Sequence, residues 1–153
     1  MTHQEYKLAE EIVALSDADV WDRAKLEWEL EDIYHEEEPD TCLCGQFPIN
    51  ELCYLRNTKN GNRALVGNVC VKKFLGLPSD KIFDAINRTI KDINKALNAE
   101  AIDHAFKKRW ISQWERDFYF DTWRKRLLSY KQAVKRIEIN ERVLRNVRNA
   151  RGR

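Results

Sequence analysis

The sequence predicts an α+β fold that is mostly helical, with a small β-hairpin module set between N-terminal and C-terminal helices. Three observations carry this. Cysteines crowd into one short span, Cys42, Cys44, Cys53 and Cys70. Apolar and polar residues alternate in "ELCYLRN" and "RALVGN" around the turn-rich "NTKNGN". Helical periodicity holds on both sides of that stretch.

Before the cysteines, Tyr6, Ala9, Ile12 and Val13 recur at helical spacing. A second helix is predicted in "DVWDRAKLEWELEDIY", where Trp21, Ala24 and Trp28 line one stripe and Leu26, Leu30 and Ile33 another. It stops in "HEEEPD", because Pro39 disfavours helix at the residue before it. In the hairpin, Asn60-Gly61 supplies residues that tolerate positive φ in the turn. Beyond "GLPSD", Ser79 is placed to cap a helix carrying Ile82, Phe83, Ile86, Ile90, Ile93 and Leu97 on one face. Capping boxes at Ser112–Glu115 and Ser129–Gln132 start helices over 112–127 and 129–148. The chain therefore divides into acidic helices (1–40), a cysteine module (41–78) and a basic helical region (79–153).

With 153 residues, 43% hydrophobic and 34% charged, the chain can bury a core under a well-solvated surface. No apolar stretch reaches signal-peptide or bilayer-spanning length, which predicts a cytoplasmic protein with no membrane partner. Thiols stay reduced there, so clustered cysteines indicate metal rather than disulfides. Four thiolates satisfy a closed tetrahedral zinc site, so Cys42, Cys44, Cys53 and Cys70 are the expected ligands of one structural Zn2+ per chain. Gly45 permits a tight knuckle behind the first pair, and Gly67 precedes Cys70 where strand gives way to helix.

The run "CLCGQFPINELCYLRNTKNGNRALVGNVCVKKF" (42–74) resembles the small treble-clef-like zinc modules of phage and large-virus proteins, most of them of unassigned function. Cys42, Cys44, Gly45, Asn60, Gly61, Val66, Gly67, Cys70 and Phe74 carry the likeness over about a fifth of the chain. It implies a zinc-bound binding module and a viral origin, with the host cytoplasm as its compartment.

The net charge of +2 hides a gradient. Residues 1–40 hold 3 Lys/Arg against 14 Asp/Glu, whereas 105–153 hold 15 against 5. Such a basic half suits phosphate contacts, so DNA or RNA is the expected partner. Candidates are Arg56, Lys59 and Arg63 on the hairpin, Lys72 and Lys73 at the following helix start, and Arg124, Arg126, Lys131, Lys135, Arg142, Arg145 and Arg148 farther on. Arg151 and Arg153 extend the charge to the end of the chain. Two aromatic rows, Trp110-Trp114-Phe118 and Tyr119-Trp123-Leu127, are read as core, with base stacking as the alternative. The run Glu36, Glu37, Glu38 and Asp40 is read as a solvated acidic linker rather than a site for a hard cation.

Catalysis is not expected. His35-Glu36-Glu37 matches the H-x-E of nucleobase deaminases, but the P-C-x-x-C that must follow downstream is missing. Phosphate-loop, serine-hydrolase and zinc-protease motifs are also missing, and His3, His35 and His104 are isolated. The competing reading is a non-enzymatic regulator or inhibitor of a host protein complex, anchored by Trp21, Trp28 or Trp114.

Overall fold

The computed structural model describes residues 2–148, so Arg151 and Arg153 lie outside the described residues. The chain forms two compact units, residues 1–80 and residues 81–153.

The first unit opens with α1 (His3–Ala14), whose N-cap Thr2 accepts the N–H of Glu5. Leu8 and Ile12 on this helix are fully buried. A short α2 (Trp21–Ala24) and one tight turn (Lys25–Glu27) lead into β1 (Trp28–Asp40). β2 (Ile49–Asn57) and β3 (Arg63–Gly67) complete an antiparallel sheet in the order β1-β2-β3. The predicted hairpin is therefore present, but as two strands of a three-stranded sheet.

The second predicted helix is helical only over Trp21–Glu27 and is strand from Trp28 on. A register irregularity between Leu30 and Asp32 explains the misreading. One inserted residue turns the two-residue strand period into Leu30, Ile33, Tyr34, which is the i, i+3, i+4 pattern of a helix. Pairing with β2 overrides the helix propensity of the Glu and Leu residues. The acidic "EEEPD" is likewise no linker but the end of an edge strand, where charge and proline discourage pairing with another chain. Pro39 falls inside the second irregularity, between His35 and Asp40, where a missing N–H disturbs no ladder.

Glu27 ties this unit together. Its carboxylate accepts the N–H groups of Asp17 and Ala18 at 2.8 Å and the Asn57 amide at 2.9 Å. The Asn57 bond, opposed by burial and reinforced by the two backbone bonds, lowers its pKa. In the hairpin turn Gly61 has φ 76°, whereas Asn60 keeps a negative φ and instead donates its amide to Leu15 O at 3.0 Å.

After β3 the chain enters α3 (Asn68–Cys70) and one wide helical turn, closed by Gly76 N–H donating to Val71 O. α4 (Ser79–Lys91) begins at the end of the first unit. Its Ser79 hydroxyl donates to Asn68 Oδ1 at 2.6 Å.

The second unit continues with α5 (Ala99–Lys107), α6 (Gln113–Thr122) and α7 (Tyr130–Val147). Both capping boxes form as expected. α4 stops at Lys91, short of its predicted face, and Leu97 is buried from the following loop. Asp92 shapes that loop by accepting the N–H of Asn94. The core gathers Phe83, Ile86, Ile102, Tyr119, Ile139 and Val143. α6 ends sooner than predicted, because buried Arg136 donates to Thr122 O at 2.8 Å and places a cation at the helix C-terminus.

Candidate metal centre

Cys42 and Cys44 lie on the loop between β1 and β2, and Cys70 lies on α3. The loop is a knuckle: Cys42 N–H donates to Gln46 O, Gly45 N–H donates to Cys42 O, and Gly45 takes φ 92°. Leu43 N–H donates to Leu65 O at 3.0 Å, anchoring the knuckle to β3.

The sulfurs of Cys42, Cys44 and Cys70 all lie within 4.8 Å of one another, and all three residues are buried. Zinc held by sulfur at about 2.3 Å places tetrahedral ligands roughly 3.8 Å apart, so this set closes on an ion with little movement. Soft sulfur donors suit a soft or borderline cation. The three residues could thus hold a metal ion.

Cys53 is not one of the three. It stands opposite Val66 in the sheet, fully buried, and burial pushes its thiol up to about 12. The spacing made it the expected fourth ligand; on the central strand it lies beside Ser79 and close enough to Cys42 for the two sulfurs to interact electrostatically, outside the mutual 4.8 Å of the other three.

Hydrogen bonds bias Cys42 toward thiolate at the expense of Cys70. Cys42 is held well below the usual thiol range, chiefly by the hydrogen bond from Cys70, against burial and with help from the Gly67 N–H. Cys70 is raised, first through that same bond and then by burial. Gly67 N–H reaches Cys42 Sγ at 3.2 Å. From α1, Gln4 Nε2 lies 3.2 Å from Cys70 Sγ and 3.5 Å from Cys44 Sγ. Sequence reading missed Gln4, because nothing in the local pattern of α1 points to the cysteines. Beside the sulfurs, a cavity of about 270 Å³ is lined by Cys42, Gly67, Cys70, Gln46, Asn50 and Glu51, among others.

The basic residues expected to meet phosphate fall into two groups. Arg56 pairs with Glu29, Arg63 with Glu31 and Asp32, and Lys72 with Asp80. These partners sit mostly on β1, whose strand conformation the sequence did not reveal. In the second unit Lys135 and Arg142 are committed to Glu115 and Glu138. By contrast Lys59, Lys73, Arg124, Arg126, Lys131, Arg145 and Arg148 are exposed and have no carboxylate within ion-pair reach among the described residues.

Of the aromatic rows, Tyr119 is core as expected, but Trp114 is 63% and Leu127 90% exposed. Trp114 stacks on Phe118 at 5.5 Å, with Lys135 over its ring. His3, His35 and His104 stand on α1, β1 and α5. No helix among the described residues is long and apolar enough to cross a membrane. No protein-family model, curated protein or solved structure matches this chain.

Proposed function

We propose that this is a non-enzymatic nucleic-acid-binding accessory protein, in which a structural zinc centre stabilises the first unit and the second unit contacts DNA or RNA phosphates. The observation that carries this reading is that charge divides with the fold. Residues 1–80 hold 8 Lys/Arg against 16 Asp/Glu, and residues 81–153 hold 19 against 9. An acidic unit repels phosphate, so the hairpin and helix-start cations, Arg56 to Lys73, drop out of the binding surface, and the second unit carries it.

Within that unit Arg124, Lys125 and Arg126 lie on the exposed connection between α6 and α7, with Lys131 just inside α7. Arg124 lies over the ring of Trp123 at 4.6 Å, and Tyr130, next to Lys131 in sequence, is 85% exposed. Cations interleaved with open rings suit a single strand, whose phosphates pair with the cations while its bases stack. The resemblance of residues 42–74 to phage and large-virus zinc modules supports a viral origin.

Fluorescence anisotropy with short labelled single and double strands at several salt concentrations tests this. Binding is expected to weaken steeply with salt. The combined change Arg124→Ala, Arg126→Ala, Lys131→Ala should lower the slope of log affinity against log salt by about 2. Salt-insensitive binding, or none, would sink the reading. One observation favours a protein partner instead: Trp114, Leu127 and Tyr130 expose large apolar surface that could anchor an interface on a host complex. Absence of nucleic-acid binding would move the weight there.

A further inference from the structure

Three cysteines from the knuckle and α3 do not close the sulfur cluster by themselves; a residue sixty-six positions from Cys70 covers it. Gln4 Nε2, half-buried on the first turn of α1, lies 3.2 Å from Cys70 Sγ, 3.5 Å from Cys44 Sγ and 2.9 Å from Gln46 Oε1. One turn on, the Lys7 side chain runs along the knuckle, with its Nζ 3.5 Å from where a Cβ on Gly45 would stand. Neither Gln4 nor Lys7 lines the cavity beside Cys42 and Cys70. Gln46, which accepts from Gln4, does line it.

Charge explains the arrangement. Three thiolates around a divalent cation leave a net charge of −1 in a buried site. Donors aimed at the sulfurs spread that charge, as the Gly67 N–H does for Cys42. Of the two Gln4 N–H groups, one goes to Gln46 Oε1 and the other is shared by Cys70 and Cys44. We infer that α1 is part of the metal centre, with Gln4 as the positioning residue that holds Cys44 and Cys70, so that metal binding and docking of α1 form one linked equilibrium.

This inference rests on the reading that the cysteine cluster holds a metal. Linkage makes the effect reciprocal: whatever factor a docked α1 adds to metal affinity, the metal adds to docking of α1. Gln4→Leu keeps the bulk of the side chain and removes both N–H donors. Zinc affinity of the full chain is measured by competition with a chromophoric chelator, alongside hydrogen exchange of α1 with and without the metal.

The expected result is a 10- to 100-fold loss of zinc affinity in Gln4→Leu. In the wild type, stripping the metal should speed exchange across α1 by a similar factor. The thermal midpoint of the metal-free variant should match that of the metal-free wild type, which separates the effect from lost packing. Wild type that binds zinc tightly, with Gln4→Leu equal to it or α1 exchange unmoved by the metal, overturns this inference alone. Wild type that binds no zinc overturns it together with the metal reading.

Discussion

Arg142 Nη1 lies 2.8 Å from one carboxylate oxygen of Glu115 and 2.9 Å from the other. Glu115 also accepts the Ser112 N–H at 2.9 Å and the Lys135 ammonium at 3.0 Å. Burial opposes ionisation, but Arg142, the Ser112 N–H and Lys135 outweigh it and hold the carboxyl at about 2, below its ordinary 4.5. A depressed carboxylate stabilises the fold above its unfolded pKa and stops doing so as pH falls through the folded one. The second unit should lose up to about 3 kcal/mol between pH 5 and 2, part of it screened by solvent around the two cations. Glu115→Gln should be less stable at pH 7 and should lack that acid slope. Denaturant titrations of the full chain from pH 2 to pH 7 check this; parallel curves for the two proteins would refute it.

Tyr119 and Asn140 make the second prediction. The tyrosine hydroxyl donates to Asn140 Oδ1 at 2.6 Å and accepts the Leu97 N–H at 2.9 Å. Asn140 donates in turn to Ile93 O and Lys95 O, both at 2.9 Å. These bonds fix the loop after α4, which has no glycine or proline to shape it. Tyr119→Phe leaves the Leu97 N–H and Asn140 Oδ1 buried without that partner, and should destabilise by about 1–3 kcal/mol. Calorimetry should show the lowered midpoint, and an unchanged one would refute the account.

How much of this was legible in the sequence depended on whether the signal was local. The capping boxes at Ser112 and Ser129 are satisfied within four residues, and both were readable. The β2–β3 hairpin was readable from alternation around "NTKNGN". β1 was not, because its irregularity at Leu30/Asp32 imitates a helical repeat and its pairing partner lies elsewhere in the chain. The cysteine cluster was legible as spacing, yet spacing could not show that Cys42, Cys44 and Cys70 come together most closely while Cys53 stands on the central strand beside them. Arg56 and Arg63 read as open cations because their carboxylate partners Glu29, Glu31 and Asp32 come from that unrecognised strand.

Glycines supply a third prediction. Gly45 has φ 92° in the knuckle and Gly61 φ 76° in the hairpin turn, and both conformations are strained for any residue with a Cβ. Alanine at either should destabilise by about 1–2 kcal/mol. A Cβ at Gly45 would meet only the Lys7 side chain at ordinary contact distance, and one at Gly61 would meet nothing. Gly45→Ala should weaken zinc binding as well as stability, because the strain falls between Cys44 and Gln46. Gly61→Ala should lower stability and leave zinc affinity unchanged. Equal effects of the two on zinc would contradict the placement of the knuckle.

Cys53 and Cys70 supply the fourth. Both are buried, but only Cys70 has its sulfur within 4.8 Å of those of Cys42 and Cys44. Cys70→Ala removes one of three donors and the partner of the Cys42 thiolate, so zinc should be lost and the first unit should unfold more readily. Cys53→Ala removes a packed sulfur from the central strand. It should cost about 1–2 kcal/mol as a small core cavity while the chain still carries one metal. Native mass spectrometry counts the metal, and the sulfur-to-metal charge-transfer intensity of the cobalt-substituted protein counts the thiolates. One metal with unchanged intensity in Cys53→Ala supports the three-sulfur centre. A drop in intensity by one thiolate would show that the metal draws Cys53 out of the strand interior into a fourth position.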